Sequence, residues 1–319
     1  MSVLYVLAIG DATLDLILDV DRASVHCRRP TECELGLKFG AKIPVTQAHQ
    51  ALGGNAANVA VGLSHLGYHA ALYSEVGTDA AGDTVGAELE ASGINTDLLV
   101  HRADITTRYS VVLTHAAERT ILTYHPAHPY HPPVMPPSRL VYYTSLGPGF
   151  ERVQNALTKY LKKNPDTILA SNPGSYQLSA GLKEYKKILS AVDYLFVNAE
   201  EAKLLTGSGS LRTAAKRLQD LGPHTVVVTN ADQGAVAASH TEFYSITPAP
   251  SKPVSKTGAG DAFASGFLGA ILAGEDTPTA LRWGAVNSAA VISQFGAQTG
   301  LLSPTELTRR LKRAPLANP

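Results

Sequence analysis

The sequence predicts an α/β protein built on a mainly parallel central sheet, with a small additional β-sheet set apart from it. Three observations carry this reading. Short β-rich runs alternate with helical patterns along most of the 319 residues, the rhythm of parallel strands joined by crossover helices. Some strands are continuously apolar, as in Thr225-Val226-Val227-Val228, which suits a sheet covered on both faces. Two β-like regions break the rhythm and belong elsewhere.

Val3–Ile9 reads as the first strand, followed by a helix at Asn55–Leu66, a strand at His69–Ser74 and a helix at Asp83–Ala91. The alternation continues with Leu140–Ser145, Phe150–Lys162, Thr167–Ala170, Leu178–Ser190, Tyr194–Val197, Leu211–Leu221 and Thr225–Thr229. Gly67 suits the C′ position after one helix, and Thr277-Pro278 reads as the cap and first-turn proline of another. The first irregular region comprises Leu16–Val20, a polar stretch Asp21–Glu34, and Leu35–Val45. The second is Arg108–Thr114 and Arg119–His125, read as a hairpin around Ala116-Ala117-Glu118. So small a sheet needs its apolar face covered by substrate or by another subunit. It reads as a lid formed by about 16–50 and 104–126 within one domain spanning 1–319, with Pro126–Pro137 as an extended connection.

Composition bounds the function. Hydrophobic residues make up 45% and charged residues 17%, as in a compact soluble protein. Lys plus Arg and Asp plus Glu number 27 each, so no net charge points to nucleic acid or to a membrane surface. No apolar run reaches the roughly 18 residues of a spanning helix, and the N-terminus carries no leader pattern. Cys27 and Cys33 are the two cysteines; in a chain this long they are expected as free thiols in a reducing compartment, the cytoplasm.

Ser255-Lys256-Thr257-Gly258-Ala259-Gly260-Asp261 is the richest stretch. Small residues lead to a carboxylate, and the apolar helical run Ala262 to Leu272 follows. Such a turn aims several backbone N–H groups at one point at the positive end of a helix, which makes an anion site suited to phosphate. A carboxylate there repels the ligand unless chemistry needs it, as a base that takes a proton from an attacking hydroxyl does. The helix N-terminus should keep Asp261 ionised, a weak but constantly available base. No Walker A run Gly-x-x-x-x-Gly-Lys-Ser/Thr occurs in the chain, and the Gly-x-Gly-x-x-Gly pattern fails here because Phe263 occupies the third glycine's place. A plain helix entry with a first-turn acid is the alternative.

Three other segments carry polar chemistry. Gly53-Gly54-Asn55-Ala56-Ala57-Asn58 opens a helix; its glycines allow close backbone approach, and its amides both donate and accept, as sugar hydroxyls require. Asp11 and Asp15 follow the first strand, where parallel sheets bind ligands, and carboxylates suit a polyol. Asn198-Ala199-Glu200-Glu201 follows a strand and could hold Mg²⁺ largely through water. Each also reads as an ordinary cap or solvated loop. The run His125, His128, His131 lacks the spacing of a metal site.

Together these segments resemble the ribokinase family, the phosphofructokinase-B type of sugar kinases, in the family's order along nearly the whole chain. Gly53–Ala60 resembles the first family signature and Thr257–Phe263 the second. Asn198-x-x-Glu201 matches its Mg²⁺-phosphate element, Thr229-Asn230-x-x-x-Gly234 its nucleotide loop, Gly296-Ala297-Gln298 its late nucleotide and cation loop, and Asn172-Pro173 a phosphate-side contact. The resemblance implies a three-layer α/β/α sandwich with a β-sheet lid, and an ATP- and Mg²⁺-dependent kinase acting on a hydroxyl of a sugar or sugar-like alcohol. It implies Asp261 as base and Gly258, Ala259, Gly260 and the Asp261 N–H as anion hole. Asp11, Asp15, Gly53, Gly54, Asn55 and Asn58 are the expected acceptor contacts. Asn172, Asn198, Thr229, Gly234, Thr257, Gly258, Gly260 and Asn287 are the expected nucleotide contacts, with Glu201 on Mg²⁺.

Ser255-Lys256-Thr257 stands where many members have Asp-Thr-Thr. That Asp serves a monovalent-cation site in several relatives, so Lys256 could replace the charge of K⁺. Asn55 stands where ribokinases proper often have Lys. A nucleoside kinase of the same family shares every motif; Tyr109, Tyr124 and Tyr130 could line its base slot, whereas a carboxylated sugar would call on Arg108 or Arg119. A non-catalytic sugar or nucleotide sensor is the alternative of another class. The lid's apolar face suggests a homodimer through the lid.

Overall fold

The alternating pattern folds into a nine-stranded sheet with helices on both faces, and beside it a four-stranded sheet and a two-stranded hairpin. The computed structural model describes residues 5–29, 32–116, 118–179 and 182–319. Val3 and Leu4 of the predicted first strand, Pro30 and Thr31 of the polar stretch, Ala117 of the predicted turn, and Ala180 and Gly181 of a predicted helix lie outside the described residues.

The strands are β1 Tyr5–Ile9, β2 Thr13–Asp19, β3 Ser24–Arg29, β4 Glu32–Gly36, β5 Gln47–Gly53, β6 His69–Gly77, β7 Leu99–Arg102, β8 Tyr109–His115, β9 Glu118–Tyr124, β10 Leu140–Tyr143, β11 Ile168–Ser171, β12 Tyr194–Asn198, β13 Thr225–Thr229, β14 Ala235–Ala238 and β15 Phe243–Ile246. The helices are α1 Asn55–His65, α2 Ala80–Ala91, α3 Glu151–Lys163, α4 Ser175–Ser179, α5 Leu182–Leu189, α6 Ala199–Thr206, α7 Leu211–Gln219, α8 Ala259–Ala273, α9 Thr277–Ile292 and α10 Pro304–Leu311.

The large sheet runs β15-β14-β13-β12-β11-β10-β1-β6-β7. It is parallel from β13 to β7, with β14 and β15 antiparallel at one edge. Alternation along β1 divides the core. Val6 and Ala8 pack with α1, α8 and α9, while Leu7 and Ile9 pack with α3, α5 and α7. Pleating of a strand apolar at every position thus yields three layers.

Strand order reverses at β1, which has β10 on one side and β6 on the other. A crevice opens at such a switch, beyond the carboxyl ends of the strands. α8 and α9 frame one side of it and are close-packed through glycines. A Cβ on Gly284 would lie 2.9 Å from both the ring and the carbonyl oxygen of Phe263.

The small sheet runs β5-β2-β8-β9, with β2 and β8 parallel and the outer pairs antiparallel. It differs from expectation in one strand: residues 37–46 are irregular, and Gln47–Gly53 pairs with β2 instead. The first four residues of β5 are exposed, so no apolar alternation marks it. The predicted helix Leu178–Ser190 is two helices, α4 and α5, and the cap of α9 is Asp276, whose side chain accepts from Thr279 N–H at 2.9 Å.

The expectation of free thiols is overturned. β3 and β4 pair with Cys27 opposite Cys33, and the two form a disulfide within the polar insertion. Antiparallel register brings them together; six residues of separation said nothing of that. Among the described residues no helix is long and apolar enough to cross a membrane.

Replacing Gly284 with valine is expected to destabilise the protein by about 1–3 kcal/mol through overpacking, read as a lower urea midpoint. An unchanged midpoint would show that α8 and α9 are not in tight contact there.

Candidate active site

A cleft of about 1130 Å³ follows the carboxyl ends of β1, β10, β11, β12 and β13. At one end stand Asp11 and Asp15, at the other Thr229, Gly234 and Ala249, and between them the Thr257–Asp261 turn.

The end near β1 is built from the two-glycine turn. Asp15 projects from β2, its Oδ1 accepting from Thr13 Oγ1 at 2.8 Å, with Ser110 also hydrogen-bonded to it. Burial raises its carboxyl above the usual range, against those hydrogen bonds. A Cβ on Gly53 would collide with the Asp15 carboxylate. Gly53 therefore does not line the cleft; it leaves room for a residue that does. Gly54 has φ +94°, and a Cβ there would strike the Asp11 carbonyl, so both glycines are required by close approach. Asn55 and Asn58 line the cleft from α1.

Asn58 is pinned on both sides. Its Oδ1 accepts from Gln298 Nε2 at 3.0 Å, and its Nδ2 donates to Asp261 Oδ2 at 2.8 Å. Gln298 thereby fixes which way the amide points.

Arg108 is not available to a ligand. It is 2% exposed, ion-paired with Asp11 and hydrogen-bonded to the Tyr130 hydroxyl, which also accepts from Gly147 N–H at 2.8 Å. Asp11 and Tyr130 converge on the two terminal nitrogens of the Arg108 fork inside the protein. Tyr130 is therefore buried and unavailable to a base, while Tyr109 and Tyr124 pack on each other at the sheet surface. The aromatic residues lining the cleft include Tyr142, Phe196 and Phe263 together with His125 and Tyr176, and the ring centroids of the last two lie 5.4 Å apart. Burial, helped by the Arg108 charge, pushes the His125 imidazole down to about 4, so it is neutral at physiological pH. Strand alternation places Arg119, Ile121 and Thr123 of β9 on the cleft side. His125, Ile121, Thr123, Ser110 and Tyr176 went unread in the sequence; the period of two through Arg119 was the available signal for two of them.

His128 Nε2 lies 3.3 Å from Glu75, and His131 Nδ1 lies 2.5 Å from Arg102. These histidines anchor the 126–137 connection to β6 and β7. Among the described residues no group of three or more His, Cys, Asp or Glu is placed to hold a metal.

The central turn has the geometry of an anion site. Gly258 caps α8 with φ +74°, held against Ala297, and the first α8 hydrogen bond runs from Ala262 N–H to Gly258 O at 2.8 Å. The N–H groups of Gly260 and Asp261 precede that bond and point off the helix end. A Cβ on Gly260 would meet no protein atom within 4 Å; the space above it is cleft. Asp261 departs from expectation. Burial, assisted by Glu201 and Asp15, outweighs the Asn58 hydrogen bond and the Arg119 charge and raises its carboxyl to about 7. Desolvation has overcome the helix dipole.

The far end is partly structural. Asn198 caps α6, its Oδ1 accepting from Glu201 N–H at 2.8 Å while Glu201 Oε2 accepts from Asn198 N–H at 2.9 Å. Both line the cleft, and burial raises the Glu201 carboxyl. Asn172 donates to Phe196 O at 2.9 Å and also lines it, as do Thr229, Gly234 and Thr257. Gly234 has φ +91°, and a Cβ there would strike Ile246 O. Asn287 is misplaced by the sequence reading. It is fully buried, donating to Ala262 O at 2.8 Å and accepting from Leu302 N–H at 3.1 Å, so it staples α8 to α9. The lining from α9 comes from Ala285, Ser288, Ala289 and Ile292, a helical stripe legible in retrospect. Lys256 pairs with Glu118 of β9.

The sequence pattern of the pfkB family carbohydrate kinases matches residues 4–305. A nucleoside kinase of Methanothermobacter thermautotrophicus is 28% identical over 265 residues, covering 81% of this chain and 84% of that protein. Two solved structures share the fold. Ribokinase of Arabidopsis thaliana, complexed with ribose and ATP, has a TM-score of 0.79 at 19% identity, covering 97% of this chain and 99% of its own. Nucleoside kinase of Burkholderia thailandensis, in complex with inosine, has a TM-score of 0.76 at 21% identity, covering 97% and 98%.

The raised Asp261 carboxyl fixes a stability prediction. A folded-state value near 7, above the ordinary 3.8, means that ionisation opposes folding; the penalty is absent at low pH and complete above pH 7. Asp261→Asn should therefore raise Tm over wild type by more at pH 8 than at pH 5. An equal difference at both pH values would contradict the burial.

Proposed function

The chain belongs to the pfkB family of carbohydrate kinases, and on that footing we propose that it transfers the γ-phosphoryl group of ATP to a hydroxyl of a small sugar or a nucleoside, with Asp261 as the base. One observation carries the assignment of roles. Asp261, with a carboxyl that titrates near 7, joins the Asp15–Asn58 end of the cleft to the end lined by Asn198 and Thr229.

Asp11, Asp15, Gly54, Asn55 and Asn58 hold the acceptor so that one hydroxyl meets the Asp261 carboxylate. As that oxygen bonds to phosphorus, its proton passes to Asp261 and the bond to the departing ADP oxygen breaks. Gly258, Ala259, Gly260 and the Asp261 N–H receive the charge spread over the transferred group. The open space over Gly260 fits a phosphoryl group. Each well-placed donor in such a site contributes about 3 kcal/mol. Asn172, Asn198, Thr229, Gly234 and Thr257 line the nucleotide end, and the Ala285–Ile292 stripe offers an apolar wall for the base.

Mg²⁺ would supply charge neutralisation at the nucleotide end. Glu201, with the Asn198 region, would hold it through water, which suits a cation that keeps its waters and needs few carboxylates. The small sheet, about 16–50 and 104–126, acts as a lid over the acceptor within one domain, excluding water that would otherwise take the phosphoryl group. Tyr109, Leu122 and Tyr124 are 47%, 57% and 41% exposed, which supports a homodimer through this sheet. A cytoplasmic location follows from the supply of ATP rather than from thiol state.

The His125–Tyr176 pair favours a nucleoside within this reading, since paired rings offer a face to a base. ADP release measured across D-ribose, D-fructose, inosine and cytidine, with and without K⁺, is expected to show turnover with at least one of them. No acceptor-dependent release from any would overturn the kinase assignment.

Asp261→Asn is expected to retain nucleotide binding by calorimetry while losing at least about a hundredfold in turnover; near-wild-type turnover would remove Asp261 from the base role. Gly53→Ala should raise the acceptor KM by about tenfold or more as Asp15 is displaced, with the KM for ATP unchanged. Equal change in both constants would mean that Gly53 serves the fold alone.

A further inference from the structure

The proline-bearing 126–137 connection carries His128, Tyr130 and His131, which no step of the proposed reaction uses. One buried carboxylate fastens it. Glu75 of β6, its side chain fully shielded, accepts from the Tyr73 hydroxyl and the His131 N–H at 2.6 Å each and from Arg102 at 2.9 Å, with His128 Nε2 3.3 Å away. Burial alone would raise the Glu75 carboxyl; these four partners instead lower it to about 2. A charge placed so deeply is tolerable only while its donors stay where they are. Residues 128–131 are thereby held against β6.

Tyr130 is the residue that this fastening places. The His128 ring lies 4.6 Å from its own, and Arg102 adds a hydrogen bond to Pro129 O at 2.7 Å. Its hydroxyl sits between the Gly147 N–H, 2.8 Å away, and one terminal nitrogen of Arg108. A Cβ on Gly147 would lie 3.2 Å from that nitrogen and 3.4 Å from the hydroxyl, so the three groups meet without slack. The other terminal nitrogen of Arg108 pairs with Asp11.

Asp11 is where this series of contacts reaches the cleft. Glu75, Tyr130 and Arg108 do not line it, whereas Asp11 does. Arg108 holds one oxygen of Asp11, and the other accepts from Ser145 Oγ at 3.2 Å. We propose that Tyr130 and Glu75 are positioning residues of the acceptor end. Glu75 seats the 128–131 segment, Tyr130 orients the Arg108 fork, and Arg108 fixes the Asp11 carboxylate to which an acceptor hydroxyl donates. This rests on the kinase reading above. A charge-assisted hydrogen bond depends on angle as well as distance, and a long arginine stem needs more than one partner to give up its rotamer freedom.

The test measures both KM values with whichever of D-ribose, D-fructose, inosine or cytidine gives wild-type turnover. Tyr130→Phe removes one oxygen and keeps the ring in the core. It is expected to raise the acceptor KM by about three- to tenfold, less than the full effect of losing a buried hydrogen bond to a charged group because the ion pair with Asp11 remains. The KM for ATP should stay within about twofold. Placed on top of Asp11→Asn, the same substitution should change the acceptor KM by less than about twofold, since the charge that Arg108 orients is gone. Glu75→Gln should raise the acceptor KM like Tyr130→Phe and lower Tm besides, as Arg102 loses its buried anion. Asp104→Asn, which removes the 64% exposed partner of Arg102 and leaves Glu75 in place, should keep both KM values within about twofold.

An acceptor KM for Tyr130→Phe within about twofold of wild type overturns the proposal. So does an equal rise in both KM values, or an undiminished effect of Tyr130→Phe in the Asp11→Asn background, because a loosened fold would act without Asp11. An unchanged acceptor KM in folded Glu75→Gln removes Glu75 from the series; if that variant does not fold, the cycle of Tyr130→Phe with Asp11→Asn decides. Wild-type inactivity with every acceptor would instead reject the kinase reading, and this assignment with it.

Discussion

The hydrogen bond from Asn58 to Asp261, 2.8 Å long and spanning 203 residues of sequence, is the contact on which the site depends. It joins the helix that opens the acceptor end to the turn that offers the anion site. Gln298 sets the Asn58 amide so that its NH₂ faces the carboxylate. Glycines at 53, 54 and 258 then let backbone and carboxylates approach more closely than any side chain would permit. Without that convergence each segment is an ordinary helix entry.

Desolvation and hydrogen bonding compete at Asp261, and desolvation prevails. The result is a group whose proton affinity lies near neutrality, where a base is both available and effective. The same burial is a cost to folding, of the kind that active sites carry and the rest of the structure offsets. Neighbouring acids add to it: Glu201 and Asp15 both raise the carboxyl. Among the described residues that line the cleft, five are acidic and two are Lys or Arg.

Much of this was legible in the sequence because it is local. Apolar runs and glycine-marked turns mark the central sheet, α1 and α8, since pleating and helix periodicity act over a few residues. The errors lie where distant partners decide. Arg108 resembles a ligand contact until Asp11 and Tyr130 close around it. Asn287 looks polar enough for a nucleotide, yet its partners are the carbonyl of Ala262 and the amide of Leu302. Strand β5 is too polar to show an alternation, and the Cys27–Cys33 bond depends on a register that no spacing reveals. The ionisation of Asp261 departs from the sequence expectation for the same reason: the helix end is visible in sequence, whereas burial is not.

The pH dependence of kcat/KM for the acceptor tests the central claim most directly. A base that titrates near 7 predicts a rate that falls tenfold per pH unit below about 7 and levels off above it, with that limb missing in Asp261→Asn. A wild-type rate independent of pH between 5 and 9, with phosphoryl transfer intact, would contradict the account.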